Sequence, residues 1–333
     1  MGKSKNCESY KNLRIHCYIM KQTYNIVCVS DENYIQHMAV MLCSLFENNK
    51  NNIFCIYLLT PNISQVSKQR LTKLCKHYNS ELIIYVCPID KMSHLPTGRW
   101  NTIMYMKLLI PQLLPSDTER CLFLDVDMII NEDITELYHI NLANNIIAAA
   151  EDIPDCVHIK KRLGLPQNEV YINSGVMVCN LKAWRKLETQ FPIFDFVHSI
   201  TDKIQNEQDV IALYFRGKLE IIPIRWNMVT FYFNRVPKIF PKYLPELQEA
   251  KRYPAIIHFA APIKPWFRDS QHPYAYLYKK YLCTYAKLLN IEVNLHFPYG
   301  EKLTQRKRFN KNIRNLLNRI GIIKDAGYTP SVQ

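Results

Sequence analysis

Short apolar runs alternate with segments of helical periodicity at the start of the chain, and this alternation limits the possible folds. Apolar runs at residues 24–30, 53–59 and 81–86 predict strands. Residues 35–46 and 64–78 place apolar side chains at helical spacing between them. The order predicts an α/β fold with a mainly parallel central sheet flanked by helices. Ligands of such sheets bind outside the carboxyl ends of the strands.

The composition is that of an ordinary globular protein. The 333 residues are 48% hydrophobic and 21% charged, and no apolar run approaches the ~18 residues that span a bilayer. Residues 1–21 lack the continuous apolar core of a secretory signal. Eleven scattered cysteines without a CxxC pair favour a reducing cytoplasm over a disulfide framework or a zinc site. With eight glycines and no GxGxxG or GxxxxGKS/T pattern, nucleotide capture by a glycine-rich loop is disfavoured.

Two aspartates interrupt an apolar run at residues 121–130, which is short enough to predict a buried central strand. Alternate side chains of a strand point the same way, so we expect Asp125 and Asp127 to share one face. Two carboxylates this close raise each other's pKa unless a cation lies between them, and a hard divalent ion is the natural occupant. The alternative is a strand that ends in an aspartate-rich turn. Asp31 follows the first strand, so the topology predicts that it lies on the same rim.

Four polar segments follow further along the chain. A short strand at 146–150 leads into the acidic turn Glu151-Asp152, and the sequence Asn173-Ser174-Gly175 precedes an apolar strand. A helix is predicted to carry residues 206–210, and a last apolar strand at 255–259 runs into Lys264-Pro265-Trp266. No linker or internal repeat is visible before about residue 300. We therefore expect an N-terminal extension at 1–23, one main domain at 24–300 and a separate tail at 301–333.

The tail combines positive charge with an apolar stripe. Residues 301–324 contain eight basic residues and one acidic residue, within a chain of net charge +13. Phe309, Ile313, Leu316, Leu317 and Ile320 recur at helical spacing. This pattern predicts a basic amphipathic helix that binds an anionic membrane surface. The alternative is a helix docked on the body with a solvated basic face. The chain has no nucleic-acid reader motif, so no nucleic-acid partner is expected.

Taken together, the motifs resemble those of glycosyltransferase family 8, which includes bacterial lipopolysaccharide galactosyl- and glucosyltransferases and, more distantly, the glycogenins. The matching segments occur in the family's order, at residues 26–34, 123–127, 171–175, 206–209 and 258–266. The resemblance implies a Rossmann-like GT-A fold and retaining transfer of a hexose, galactose or glucose, from a UDP-sugar to a glycan or glycolipid acceptor. It also implies a peripheral enzyme on the inner face of a bacterial cytoplasmic membrane, acting in lipopolysaccharide or other surface glycan synthesis.

The resemblance also implies a role for each matched residue. Asp125, Asp127 and His258 are the expected ligands of Mn²⁺, with Mg²⁺ as an alternative, and this donor set suits a moderately hard six-coordinate ion. Glu207 and Gln208 match the catalytic pair near the anomeric carbon. The residues expected to bind the donor are Asp31, Asn33, Lys107, Asp125, Val126, Asp127, Asp152, Asn173, Ser174, Gly175, Gln208, Ala261 and Lys264. Of these, Asp31 and Asn33 match contacts to uracil and ribose, residues 173–175 match contacts to the sugar, and Lys264 matches a lysine on the diphosphate.

Two positions depart from the family pattern. Lys107 stands where family members often have arginine; it keeps the charge but loses the bidentate fork. Ala261 stands where the family's HxxGxxKPW pattern has glycine, so a methyl group enters a place where the backbone can approach the diphosphate. Neither change removes a metal ligand, and we expect an active enzyme whose donor preference these residues can alter.

Three other functions compete with this interpretation. The haloacid-dehalogenase phosphatases also carry a DxD on a strand, but they require DxDx followed by Thr or Val near the start of the fold, where this chain has Ile129. A glycogenin-like protein would glucosylate one of its own tyrosines. A catalytically silent UDP-sugar or membrane-surface binding protein would keep the ligands without turnover.

Overall fold

The computed structural model describes residues 22–98, 101–153, 157–234 and 241–293. A seven-stranded sheet has the order β3-β2-β1-β4-β7-β6-β8, and a three-stranded sheet has the order β5-β10-β9. The strands are β1 Thr23–Val29, β2 Ile53–Thr60, β3 Glu81–Val86, β4 Arg120–Leu124, β5 Met128–Ile130, β6 Ile147–Ala149, β7 Val176–Asn180, β8 Leu219–Ile221, β9 Met228–Val229 and β10 Ile256–His258. In the large sheet β7 runs antiparallel to both of its neighbours, whereas the other neighbouring pairs are parallel. The predicted mainly parallel sheet is confirmed.

Helices cover both faces of the large sheet. They are α1 Ile35–Asn48, α2 Gln65–His77, α3 Ile110–Leu113, α4 Thr135–Tyr138, α5 Val157–Leu163, α6 Leu181–Gln190, α7 Ile193–Ser199, α8 Glu207–Tyr214, α9 Thr230–Asn234, α10 Leu244–Arg252 and α11 Ala275–Leu289. Short 3₁₀ helices lie at Glu32–Tyr34, Asp90–Met92, Thr102–Leu109, Ile224–Asn227 and Pro241–Tyr243. One hydrophobic cluster joins α1, α2 and α11 to one face of the sheet, and a second joins α6, α7 and α8 to the other face.

The predicted elements at the start of the chain are present within one or two residues of their expected bounds. The β1 strand is buried along nearly its whole length because it lies between β2 and β4, which explains its continuous apolar sequence. Helix α2 begins where the Ser64 hydroxyl accepts a hydrogen bond from the Ser67 amide at 3.1 Å. That cap satisfies one of the free amides of the first turn.

The single strand predicted over residues 121–130 is wrong. The run is divided between β4 in the large sheet and β5 in the small one, and Asp125, Val126 and Asp127 lie in the connection. The large sheet ends here as Leu124 pairs with Val176 and the Asp125 amide donates to the Gly175 carbonyl at 2.8 Å. The chain then changes partners, and β5 pairs antiparallel with β10. A change of sheet leaves the two carboxylates outside either ladder.

The carboxyl ends of the central strands meet at one edge of the large sheet, because β1, β4 and β6 run in the same direction. Asp31 follows β1, Asp125 follows β4 and Asp152 follows β6. The loop that precedes the antiparallel β7 reaches the same edge with Gly175. This edge is the rim on which the sequence placed its polar motifs.

Among the helices of the described ranges, none combines the length and the apolar character needed to cross a membrane. Of the predicted N-terminal extension at 1–23, residues 1–21 lie outside the described residues. The predicted basic helix in the tail at 301–333 also lies outside them.

Candidate active site

Asp125, Asp127 and His258 form a cluster at the rim. One ligand atom from each lies within 4.8 Å of the others. The His258 Nε2 atom is 3.4 Å from Asp127 Oδ1 and 3.8 Å from Asp125 Oδ2. The antiparallel pairing sets these distances, because His258 lies opposite Met128 and the next amide, of Phe259, donates to the Asp127 carbonyl at 3.0 Å. The sequence separation of the three residues gave no indication of this pairing.

Gly175 allows the imidazole to approach the cluster. A Cβ atom built on Gly175 would lie 2.5 Å from His258 Cε1, 2.9 Å from His258 Nδ1 and 3.0 Å from Asn173 Oδ1. Contacts between carbon atoms are ordinarily about 3.5–4.0 Å. Any larger residue at 175 would therefore have to displace the ring or the backbone. The glycine is needed here for space and not for an unusual backbone angle.

A lysine forms an ion pair with each of the two aspartates. Lys264 Nζ lies 2.5 Å from Asp127 Oδ2 and donates to the Phe259 carbonyl at 2.7 Å. Lys107, from the 3₁₀ helix Thr102–Leu109, is buried and lies 3.1 Å from Asp125 Oδ1 and 2.8 Å from Glu207 Oε1. A buried lysine is stable only with such partners.

The charges shift the titration of these groups. Burial alone would raise the pKa of Asp127, but Lys264 and His258 hold it well below its usual range. Burial raises the pKa of Asp125, and Lys107 and His258 only partly offset it. Burial acts to lower the pKa of Lys107, yet Asp125 and Glu207 together raise it above its usual value. The site therefore holds alternating negative and positive charges that stabilise one another.

The amino-terminal turn of α8 supplies the next contacts. Gln208 Oε1 accepts from the Ser174 amide at 3.0 Å, and Gln208 Nε2 donates to Asp152 Oδ2 at 2.9 Å. The Ser174 hydroxyl donates to Glu207 Oε1 at 3.1 Å. Burial raises the pKa of Asp152, although its hydrogen bonds with Ile153, Gln208 and Asn173 act in the opposite direction. Both ends of the Gln208 amide are thus occupied.

Asn227 completes the polar contacts, and the sequence gave no signal for it. Its Nδ2 atom donates to Asn173 Oδ1 at 2.8 Å, and its Oδ1 atom is 2.9 Å from His258 Nδ1. Asn173 Oδ1 also accepts from the Gly175 amide at 3.1 Å. An isolated asparagine after Arg225-Trp226 belongs to no recognisable motif, so only its position beside His258 marks it.

Most of the predicted site residues form one connected network. Hydrogen bonds and ion pairs join Lys107, Asp125, Asp127, Asp152, Asn173, Ser174, Gly175, Glu207, Gln208, His258 and Lys264. Val126 lies between the two aspartates and is largely buried. Residues more than 100 positions apart in sequence thereby meet at one point.

Asp31, Asn33 and Ala261 stand apart from this network. Asp31 caps the 3₁₀ helix Glu32–Tyr34 by accepting from the Tyr34 amide at 3.2 Å, and Asn33 Nδ2 donates to Asp31 Oδ2 at 3.3 Å. Within the described ranges, no hydrogen bond or ion pair joins these three residues to the cluster. Tyr34 bridges the gap electrostatically, because Lys264, Asp127 and Asp31 all act on its hydroxyl, whose pKa burial raises.

Trp266 supports the segment that carries Lys264. Its ring stacks on His37 with centroids 3.5 Å apart and an interplanar angle of 9°, and Tyr34 meets it edge-on at 5.8 Å. His37 Nδ1 is in turn 2.7 Å from the Tyr278 hydroxyl. The tryptophan of the predicted Lys-Pro-Trp segment therefore anchors the segment against α1 and α11.

The residues of the cluster fit a divalent cation. Two carboxylates and one imidazole are the ligands of a moderately hard metal ion. Because Gly175 has no Cβ atom, the His258 ring can lie close enough for its Nε2 atom to join the two carboxylates.

The fold is similar to those of solved glycosyltransferase structures. The structure of galactosyltransferase LgtC in complex with donor and acceptor sugar analogs matches with a TM-score of 0.69 at 21% identity, covering 78% of this chain and 95% of that one. The bifunctional glycosyltransferase WbbM matches with a TM-score of 0.67 at 19% identity, covering 83% of this chain and 53% of that one. At these identities the likeness concerns the fold, which is the GT-A fold of glycosyltransferases.

The sequence model of Glycosyl transferase family 8 matches residues 25–270, and the chain belongs to that family. General stress protein A of Bacillus subtilis (strain 168) is 26% identical over 79% of this chain and 94% of its own length. Lipopolysaccharide 1,2-glucosyltransferase of Escherichia coli (strain K12) is 26% identical over 77% of this chain and 76% of its own. The family and fold that the motifs predicted are confirmed, and the chain is a glycosyltransferase.

Proposed function

We propose that this glycosyltransferase transfers a hexose, galactose or glucose, from a UDP-sugar to a saccharide acceptor with retention of the anomeric configuration. The observation that carries the proposal is the cluster of Asp125, Asp127 and His258 beside Lys264, at the rim where α/β sheets bind ligands. A diphosphate is the group that such a combination of cation ligands and a lysine can hold. We further propose that Asp31 and Asn33, after β1, contact the uridine, and that Ala261 lies near the diphosphate.

The cation of this site is proposed to be Mn²⁺, with Mg²⁺ as the alternative, held by Asp125, Asp127 and His258. When bound, it would supply Lewis-acid stabilisation of the negative charge on the departing UDP. Lys264 places a second positive charge beside Asp127, where the same phosphate charge develops. Lys107 compensates the negative charges of Asp125 and Glu207 through its ion pairs with both carboxylates.

Gln208 is proposed to position the donor sugar and not to attack it. Its amide is neutral, and its oxygen already accepts from the Ser174 amide. We therefore favour attack on the same face of the sugar as departure. The bond from the anomeric carbon to the phosphate oxygen breaks, the acceptor oxygen bonds to that carbon, and the leaving phosphate takes the acceptor's proton. Glu207 and Gln208 then stabilise the oxocarbenium-like sugar. Mass-spectrometric detection of a glycosyl adduct on either residue would overturn this assignment.

The acceptor is proposed to be a glycan or glycolipid of lipopolysaccharide or other surface glycan synthesis. Support comes from the relatives named lipopolysaccharide 1,2-glucosyltransferase and lipopolysaccharide 1,3-galactosyltransferase. With such an acceptor, the basic tail at 301–333 would hold the enzyme on the cytoplasmic face of the membrane. The alternatives are a self-glucosylating protein and a silent UDP-sugar-binding protein.

Release of UDP by the purified protein from a panel of UDP-sugars, with Mn²⁺ and then with EDTA, tests the proposal. Release from one sugar that EDTA abolishes supports it and names the donor. UDP binding without release from any sugar, with a range of saccharide acceptors present, would favour the silent binding protein. Absence of UDP binding would refute the donor assignment.

The Asp127→Asn variant tests the cluster directly. It removes one charged ligand and the partner of Lys264 while keeping the side-chain volume, so we expect turnover that depends on Mn²⁺ to be lost and the fold to be kept. Circular dichroism controls for folding. Full activity of this variant would remove the two aspartates from the mechanism.

A further inference from the structure

Asn227 lies in a buried position that no motif explains. It is 2% exposed and ends the 3₁₀ helix Ile224–Asn227, directly before β9. Since β9 pairs parallel with β10, with Val229 opposite His258, the asparagine is held next to the imidazole. Its side chain bridges Asn173 and His258, at 2.8 Å and 2.9 Å respectively. A buried amide with two such partners is constrained in its orientation.

The direction of these hydrogen bonds can be deduced from one unambiguous donor. The Gly175 backbone N–H can only donate, so the Asn173 atom that it meets at 3.1 Å must be the oxygen. Asn173 therefore presents its oxygen to both the Gly175 amide and the Asn227 side chain.

The orientation of the Asn173 amide determines which groups donate and which accept at Asn227 and His258. Because Asn173 presents its oxygen, Asn227 must turn its NH₂ group toward it, which leaves Asn227 Oδ1 facing His258 Nδ1. An amide oxygen only accepts, so the neutral imidazole carries its proton on Nδ1. The lone pair of Nε2 then points toward Asp125 and Asp127, at 3.8 Å and 3.4 Å.

We propose that Asn227 is a positioning residue that fixes His258 in the Nδ1–H tautomer and so makes Nε2 a cation ligand. We call the hydrogen-bonded chain Gly175–Asn173–Asn227–His258 the amide relay. This proposal extends the proposed cation site and depends on it. The relay acts against its surroundings, because the two carboxylates would otherwise attract a proton to Nε2. Partners of this kind, beyond the ligands themselves, orient metal-binding histidines in proteins generally.

The first test reads the tautomer without any metal. Long-range ¹H–¹⁵N NMR of the ¹⁵N-histidine-labelled full chain, recorded in mildly alkaline buffer, distinguishes Nδ1–H from Nε2–H. The His258 resonances are assigned by their loss in His258→Asn. We expect a proton on Nδ1 in the wild type and its transfer to Nε2 in Asn227→Leu. A wild-type ring with a bare Nδ1 would overturn the proposal.

The second test measures the affinity for Mn²⁺ alone, from the electron paramagnetic resonance signal of the free ion. Asn227→Leu keeps much of the volume but removes the acceptor, and we expect the Kd to rise by about 10–100-fold. Asn227→Asp keeps an acceptor for Nδ1–H, so its Kd should rise by less than about tenfold. A role in packing alone would weaken binding similarly in both variants, and such a result would contradict the relay.

Asn49→Leu is a matched control. Asn49 is also 2% exposed, and its side chain bonds to Leu45, Glu132 and Ile134 around the end of α1. We expect this variant to lose stability while its Mn²⁺ affinity stays at the wild-type value. Wild-type affinity in Asn227→Leu would overturn the relay alone. If the wild type itself fails to bind Mn²⁺, the proposed cation site fails, whereas the Nδ1 proton still decides the relay.

Discussion

Replacing Gly175 with alanine should disable the cation cluster while leaving the rest of the fold in place. The new Cβ would lie 2.5 Å from His258 Cε1, and an ordinary carbon–carbon contact needs about 3.5 Å. The ring must therefore retreat by about 1 Å, the difference between these two distances. Since Nε2 is bonded to Cε1, the ligand atom moves with it.

A displacement of this size exceeds what a metal site tolerates. Ligand distances are held within about 0.2 Å, and a misplacement of about 1 Å costs on the order of 100-fold in rate. We expect the rate of UDP release by Gly175→Ala to fall by about 100-fold. Its affinity for Mn²⁺, measured by electron paramagnetic resonance of the free ion, should also fall. The strain on the folded state should cost about 1–3 kcal/mol, typical of an added methyl group in a packed region.

Gly164→Ala is the control for a glycine-to-alanine change. Gly164 has φ +70 and no atom within 4 Å of an added Cβ, so its cost comes from backbone strain of about 1 kcal/mol. We expect this variant to lose some thermal stability but to bind Mn²⁺ as the wild type does. Wild-type Mn²⁺ affinity and turnover in Gly175→Ala would refute the argument from space.

Three further predictions concern Lys107, His272 and the tail. Lys107→Met leaves the buried Glu207 and the half-buried Asp125 without their cation, so urea unfolding at neutral pH should show a loss of about 3 kcal/mol, the lower end of the range for a broken buried pair, most of which Lys107→Arg should restore. Burial lowers the pKa of His272 to about 3, so this ring stays neutral in the folded state while the unfolded chain takes up a proton near pH 6.5. Stability is thus fully present above that pH and falls by about 2 kcal/mol on acidification to about pH 5; His272→Phe should remove that part of the pH dependence. Deletion after Gly300 should weaken binding to anionic liposomes and spare activity on a soluble acceptor.

Each of these has a result that contradicts it. Equal stability of Lys107→Met and the wild type would mean that the two carboxylates do not need the lysine. An unchanged dependence of the unfolding free energy on pH in His272→Phe would show that another group titrates there. Equal liposome binding by the full and shortened chains would mean that the tail docks on the body.

The elements near the start of the chain were predictable because their signals are local. The apolar run of β1 and the spacing of α1 and α2 lie within windows of one element, so periodicity alone located them. The run at 121–130 has the same local signal, yet it is divided between β4 and β5. That division depends on β10, whose pairing partner lies more than 100 residues away in sequence.

The site shows the same separation between residue types and their arrangement. The resemblance identified Lys107, Glu207 and Gln208 as site residues. It did not predict that Lys107 pairs with both Asp125 and Glu207, which precede and follow β7 in the sequence. Asn227 was missed altogether, since a single asparagine carries no pattern. Its role depends on the parallel pairing of β9 with β10.

The amino-acid sequence by itself determined the family, the α/β class, the early strands and helices, and the chemical types gathered at the rim. These follow from motifs and from periodicities read over a few residues. Only the tertiary structure decided that the chain passes from one sheet to the other at the two aspartates, that Gly175 leaves room for the His258 ring, and that Asn227 determines which imidazole nitrogen carries the proton. Such contacts join residues from distant segments, and their directions depend on strand order and close packing, which no local window of sequence contains.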